Sequence, residues 1–248
     1  MVWRWAAASE IGTSHIRSCD RLQDAFTVSE VGHGCVLSVV SDGAGSAQFG
    51  FSGAWLACRV LKVRFREWFS ENEALPDDDT LKDWIDEIRD RISIAADRRG
   101  TSPRQFAATL AALLIAPSEI LALHIGDSAI VGRRGSEWDA ICWPENGDYA
   151  STTFFITDDP EPRLNIIRQD RQHDAFALFS DGVGDLALSV MDRQAHPGFF
   201  NPMMRPVDSA HASGKLKELS QKLQSYLAGR SVCERTDDDK TLVLLSGV

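Results

Sequence analysis

The sequence predicts an α+β fold of layered sheets flanked by helices. Two observations carry this. Short apolar runs of strand length recur along the whole chain, at 36–40, 109–116, 120–125, 175–179 and 241–245, while apolar residues at helical spacing are confined to two blocks. In order, residues 1–45 read as strand, loop and strand. From 51 to 69, Phe51, Trp55, Cys58, Leu61, Phe65 and Trp68 recur at three- and four-residue intervals and give a helix one apolar face. Pro76 and the aspartates after it break that pattern. Thr80 is the candidate cap of a second helix carrying Leu81, Trp84, Ile85, Ile88 and Ile92 on one side. Residues 109–116 and 120–125, joined by Pro117, Ser118 and Glu119, suit a hairpin, although 107–115 also admits a helix. Residues 129–133 and 138–143 suit another around Gly135. The stretch 144–165 reads as a long surface excursion, and 191–214, with Pro197, Pro202 and Pro206, as polar and irregular. Residues 215–227 form a helix with Leu216, Leu219, Leu223 and Leu227 aligned, before the last strand. No linker or low-complexity tract divides the chain, so residues 1–248 are expected to be a single domain.

Composition narrows the function classes. The 248 residues are 44% hydrophobic and 25% charged, ordinary values for a globular chain. A net charge of −10 speaks against a uniformly basic nucleic-acid surface. Five scattered cysteines, with no Cys-x-x-Cys pair, favour neither a disulfide framework nor a zinc ribbon and suit a reducing compartment. Glu10 interrupts the N-terminal apolar stretch too soon for a signal-peptide core, and no apolar run spans a bilayer. A soluble cytoplasmic protein is expected.

One phrase occurs twice. An apolar run enters Ser41-Asp42-Gly43-Ala44-Gly45, and another enters Ser180-Asp181-Gly182-Val183-Gly184. Each places a carboxylate at the mouth of a strand, and the following glycine lets the backbone turn sharply enough for its carbonyl to face a ligand. Asp127, in Gly126-Asp127-Ser128, and Asp238, just before the last strand, hold comparable positions, and Asp24 stands at the entry to another strand. Converging carboxylates repel one another unless cations lie between them. An all-oxygen donor set without clustered His or Cys favours Mg²⁺ or Mn²⁺ over Zn²⁺. Each aspartate alone could simply cap a turn; the number in similar positions is what argues for a metal site.

The order of motifs, Gln23-Asp24-Ala25, Ser41-Asp42-Gly43, Ala107-Ala108-Thr109-Leu110, Ile125-Gly126-Asp127-Ser128, Ser180-Asp181-Gly182 and Asp238-Asp239-Lys240-Thr241, resembles the metal-dependent protein phosphatases of type 2C in a compact bacterial form. The resemblance spans roughly residues 10 to 246. It implies a four-layer α-β-β-α sandwich of two packed, mainly antiparallel sheets. It also implies two and in some relatives three Mn²⁺ or Mg²⁺ ions, and hydrolysis of phosphoserine and phosphothreonine by a metal-bridging hydroxide. Asp42 would bridge two ions and the Gly43 carbonyl would ligate one. Asp181 and Asp238 would hold the other, Asp24 would act on its partner directly or through water, and Asp127 with Asp181 would hold a third. Two departures stand out. The family's phosphate-gripping arginine position is Cys19 here, with Arg17 the first candidate substitute and Arg21 the second. The histidine that often follows the first Asp-Gly is Ala44, so leaving-group protonation would fall to a metal-bound water or to His15, which otherwise reads as a surface or loop histidine.

Two other readings compete. A catalytically impaired pseudophosphatase, binding phosphoproteins as a regulatory module, is opposed by the retained aspartates. A nucleotide-binding loop at 43–46 lacks the P-loop lysine and the third glycine of a dinucleotide fingerprint. The expected partner is a phosphoprotein that is the target of a Ser/Thr kinase or the kinase itself, with no nucleic acid or membrane and the enzyme a monomer. Asn146, Tyr149, Thr152, Thr153 and Phe154, in the loop 144–162, could wall the cleft and select substrate.

Overall fold

The computed structural model describes residues 2–146, 153–189 and 192–247. Tyr149 and Thr152 of the expected substrate loop therefore lie outside the described residues. In chain order the strands are β1 (Trp3–Glu10), β2 (Ala25–Gly32), β3 (Cys35–Ser41), β4 (Leu110–Ile115), β5 (Glu119–Ile125), β6 (Ala129–Arg134), β7 (Glu137–Cys142), β8 (Asn165–Asp170), β9 (Ala175–Phe179), β10 (Leu188–Ser189), β11 (Gln194–Ala195), β12 (Gly214–Lys215) and β13 (Lys240–Gly247). The α-helices are α1 (Thr13–Ser18), α2 (Gly50–Glu71), α3 (Asp78–Asp97), α4 (Asp181–Ala187), α5 (Pro197–Asp208), α6 (Lys217–Leu227) and α7 (Arg230–Cys233). They belong to two compact units. One comprises residues 1–22, 129–143 and 172–248, and the other residues 23–128 and 144–171. The α+β class read from the sequence is the class observed.

The first unit is built on a six-stranded sheet ordered β12-β1-β13-β9-β6-β7, antiparallel except for the short β1–β12 pair. Its core combines the small side chains of Ala6, Ala8, Ala175 and Ala177 with larger ones from the helices, Phe200, Met204, Leu223 and Leu227. Alanines on the strands leave room for those side chains, and Phe200 fills it, its ring 4.7 Å from Trp138 and 5.7 Å from Phe179. Helix α5 is a departure from the irregular stretch expected at 191–214. Pro197 lies in its first turn, where the missing N–H costs no helix bond. Pro202 and Pro206, four residues apart, share the exposed side while Phe200, Met204 and Val207 face the core. Burial of that face outweighs the breaker signal.

The second unit is an antiparallel five-stranded sheet ordered β2-β3-β4-β5-β8. The expected hairpin over 109–125 is β4–β5. Helices α2 and α3 share a core with this sheet: Ala54, Ala57, Cys58, Leu61 and Phe65 of α2 meet Leu81, Trp84, Ile85 and Ile88 of α3, with Phe65 set edge-on to Trp84 at 4.9 Å. Trp55, expected on the apolar face, is instead 46% exposed, because alanines at 54 and 57 form the inner surface. The cap of α3 is Asp77, not Thr80: its side chain accepts the Thr80 N–H at 2.8 Å. That bond, helped by Arg168, holds the Asp77 carboxyl below its usual range. Between residues 1 and 45 the structure has three strands, and the expected loop contains the short helix α1. The strand expected after Asp24 is the half-exposed β2, and it turns into β3 through Gly32, His33 and Gly34, all at positive φ. The excursion at 144–165 is anchored as well. Ile156 is fully buried and its N–H donates to the Ala108 carbonyl at 2.9 Å.

Candidate active site

Within the second unit, Asp24, Asp42, Gly43 and Asp127 come from the ends of strands. Asp24 immediately precedes β2 and is 1% exposed. Asp42 follows β3 and is held on both sides by Thr109: its N–H donates to the Thr109 hydroxyl at 3.1 Å, and its carbonyl accepts the Thr109 N–H at 2.8 Å. Ser41 adds a bond from its hydroxyl to the Thr109 carbonyl at 2.5 Å. Gly43 is required by space, since a Cβ there would lie 2.4 Å from the Gly50 carbonyl carbon and 2.8 Å from the Gln23 oxygen. This close approach of backbones fixes the turn that carries the Gly43 carbonyl.

Asp127 sits in the turn after β5. Gly126 makes that turn at φ +96, and a Cβ on it would meet the Phe154 carbonyl at 2.7 Å. Ser128 Oγ lies 3.1 Å from Thr109 Oγ1, so one threonine braces both turns. His124 Nε2 donates to the Ser128 carbonyl at 2.7 Å. Burial holds His124 below the ordinary imidazole range, against the pull of that bond and of Glu145 and Asp127. Thr153 donates its hydroxyl to Asp127 Oδ2. Carboxylate oxygens of Asp42 and Asp127 lie within 4.8 Å of each other.

Within the first unit the structure adds two features to the sequence expectation. Asp181 follows the end of β9 by two residues, as the sequence expects, and also opens α4 with Ser180 in the N-cap position, so its carboxylate stands at a helix N-terminus as well. The segment 237–239 is packed between two glycines. A Cβ on Gly182 would lie 2.0 Å from the Asp239 carbonyl oxygen, and one on Gly12 would lie 2.4 Å from that of Asp237. Asp239 is turned inward, 2% exposed, accepting the Gly12 N–H at 2.6 Å with His15 Nδ1 at 2.9 Å. Asp238 is exposed, and His15, Asp238 and Asp239 present ligand atoms within 4.8 Å of one another.

His15 is therefore not a surface histidine: it is buried on α1 against Asp239. Burial alone would lower its pKa, but the Asp239 bond and charge, with Asp238 and Asp20, raise it above the ordinary value. The inward role of Asp239, its pairing with His15 and the bracing role of Thr109 were missed in the sequence. Three consecutive aspartates carry no spacing signal to separate an inward from an outward one. Arg17 donates to Asp237 at 2.7 Å, and both side chains are mostly exposed. A surface pair of this kind is weak and readily exchanged.

These donors suit a hard divalent cation. They are carboxylates and a backbone carbonyl, and Asp24 keeps its carboxylate in a nearly water-free position that a cation would stabilise. A protein-family model described as protein phosphatase 2C matches residues 11–227. A curated relative, serine/threonine-protein phosphatase 3 of Escherichia coli (strain K12), is 34% identical over 249 residues and 98% of each chain. The chain belongs to the protein phosphatase 2C family. It is accordingly a serine/threonine protein phosphatase in class. This phosphatase also shares its fold with solved structures. PppA, described as a regulatory component of T6SS in Pseudomonas aeruginosa, superposes with a TM-score of 0.71 at 19% identity, covering 100% of this chain and 99% of that one. The catalytic domain of PstP, solved in complex with two manganese ions, gives 0.69 at 17% identity, covering 99% and 98%. Among the phosphatase's described residues, no helix is long and apolar enough to cross a membrane.

Proposed function

We propose that this phosphatase hydrolyses phosphoserine and phosphothreonine in proteins with two, and in a third weaker site three, Mn²⁺ or Mg²⁺ ions held by Asp24, Asp42, Gly43, Asp127, Asp181 and Asp238. The observation that carries it is the braced Asp42–Gly43 turn with a carboxylate oxygen of Asp127 within 4.8 Å of one of Asp42. Bound cations supply a water of lowered pKa as nucleophile and offset charge on the phosphoryl oxygens. The chain's part is positioning. Thr109 and Gly43 fix the Asp42 carboxylate and the neighbouring carbonyl. Asp239, by gripping Gly12 and His15, leaves Asp238 facing outward as the ligand of that pair. Asp127 is oriented by Thr153, which supports a role for the loop 144–162 in shaping the substrate side. Arg17, on exchanging Asp237 for a phosphate, is the proposed grip, since guanidinium binds both anions by the same fork of N–H donors.

The substrate is expected to be the target of a Ser/Thr kinase or the kinase itself, the enzyme a monomer working as one domain over 1–248, and the compartment the cytoplasm. Five free cysteines fit a reducing compartment; burial pushes the Cys35 thiol up to about 11 and Cys58 up as well, leaving both inert. The test is hydrolysis of phosphothreonine peptides, with p-nitrophenyl phosphate as a generic control, in EDTA and after adding Mn²⁺ or Mg²⁺. Activity should vanish in chelator and return with metal. Turnover that survives exhaustive EDTA treatment overturns the metal site.

A further inference from the structure

The five-stranded sheet ends at β2, which pairs with β3 on one side and, among the described residues, with no strand on the other. Beside it, α2 presents Trp55, Arg59, Val63 and Arg66 in one exposed stripe at intervals of four, four and three residues. Together with Lys62 they line a groove of about 380 Å³ whose opposite wall is Ala25, Phe26 and Thr27 of β2. Successive strand residues point to opposite faces, so a hollow touched by three in a row runs along the edge of the strand and not over a face. The lining holds three cations and no acidic residue, on a chain of net charge −10. Two of the cations are fixed in place: the Arg59 guanidinium lies 5.3 Å from the Trp55 ring centre, and Arg66 donates to Ser29 Oγ of β2 at 2.6 Å. On the other side of Trp55 an apolar hollow of about 230 Å³ continues between Phe51, Leu56, Ala95 and Phe106.

We propose that this groove docks an extended acidic segment of a phosphoprotein substrate. The segment adds beside β2 as a sixth strand, sets carboxylates against Arg59, Lys62 and Arg66, and places an apolar side chain in the hollow beyond Trp55. The charge argues for the acidic partner, the open edge for its extended form, and the exposed indole for an apolar anchor. Cations also blunt free sheet edges against aggregation, but a guard requires neither an open hollow nor an exposed tryptophan at its centre. The position has a consequence for the phosphatase reading on which this rests: Ala25 in the groove wall directly follows Asp24, so the docked segment lies next to a candidate metal ligand.

The probe is a fluorescein-labelled, unphosphorylated peptide of alternating Glu and Val with a leading Phe, followed by anisotropy against the full chain. It should bind saturably, weaken as salt rises, and weaken at least about tenfold with Arg59→Glu/Lys62→Glu. Trp55→Ala, which keeps the cations, should weaken it as well. The same acidic run appended to a phosphothreonine peptide should lower KM for the wild type but not for the charge-reversed variant, with p-nitrophenyl phosphate turnover equal in both. No saturable binding to the wild type, or binding unchanged by charge reversal in a variant with a wild-type melting curve, overturns the proposal and leaves the cations as an edge guard. Saturable binding of a labelled RNA oligonucleotide where the peptide does not bind overturns it too. Anisotropy needs no turnover, so a wild type that bound the peptide but hydrolysed no phosphate ester would support the groove and overturn the phosphatase reading alone.

Discussion

Gly182 and Gly184 stand two residues apart in α4, and the same substitution should have opposite effects at the two. Alanine is favoured over glycine in a helix by about 0.5–1 kcal/mol, a term both positions share to first order. Only the space differs. Among the described residues a Cβ at Gly184 meets nothing within 4 Å, whereas one at Gly182 would lie 2.0 Å from the Asp239 carbonyl oxygen and 3.0 Å from its carbon. Real Cβ atoms do not approach backbone so closely, so the 237–239 segment must move, at roughly 1–3 kcal/mol for overpacking. Gly184→Ala should thus raise stability by several tenths of a kcal/mol, and Gly182→Ala should lower it by about 1–2 kcal/mol. The shared term cancels in the difference, so at roughly 2–4 °C per kcal/mol for a chain of this length the overpacking cost of about 1–3 kcal/mol should separate the two melting temperatures by about 2–12 °C. Thermal melts in EDTA measure this without any contribution from metal. Mn²⁺ titration of activity should then show that Gly182→Ala, which displaces Asp238 and loosens the Asp239 grip on Gly12 and His15, requires more metal. Equal melting points and equal metal demand in the two variants would refute the packing argument.

Asp42→Asn should abolish hydrolysis of p-nitrophenyl phosphate nearly completely with the fold intact by circular dichroism, because the amide keeps the turn bonds but removes the charge; an active variant would favour a turn-capping role. Asp127→Ala should leave the tighter Mn²⁺ binding visible by calorimetry while phosphopeptide turnover falls substantially; unchanged turnover in the folded, metal-loaded variant would remove the third site. Glu87, beside Arg64 and Arg91, is held below its ordinary value of 4.5. A depressed carboxylate stabilises the fold above that value and loses the contribution as pH falls through the lowered one. Melting curves should therefore place Glu87→Gln below the wild type at pH 7, with the gap closing below about pH 4; a gap that persists in acid would show that packing, not charge, is at work.

What could be read from the sequence follows the physics of each element. The Asp-Gly phrases were legible because fully buried strands give continuous apolar runs that end abruptly at a charge, and β3 and β9 are buried along their whole lengths. Helix α3 was legible because one face carries Leu81, Trp84, Ile85, Ile88 and Ile92. Strand β2 was legible only at its entry after Asp24, because an edge strand with mixed exposure has no strong period. Helix α5 was hidden by interior prolines whose cost is outweighed by burial of Phe200, Met204 and Val207. At the site, Asp42 and Asp127 were marked by glycines that the packing demands, while the separate fates of Asp238 and Asp239 depend on contacts with Gly12 and His15, more than 220 residues away in the chain. Local pattern carries no information about such a partner.

The place of β13 in the six-stranded sheet bears on how the protein is made. Residues 240–247 lie between β1 and β9, one partner from the first ten residues and the other from 175–179. A ribosome therefore releases β1 long before the strand it pairs with exists. Until that strand arrives, β1 and β9 each expose an open flank, and the sheet remains in two pieces. Such long-range pairing is slow and leaves unpaired edges available to other chains. The strand that closes the sheet is also the one that carries Asp238 at its entry, so assembly of this half of the candidate site and closure of its sheet are a single event that follows the synthesis of both flanking strands.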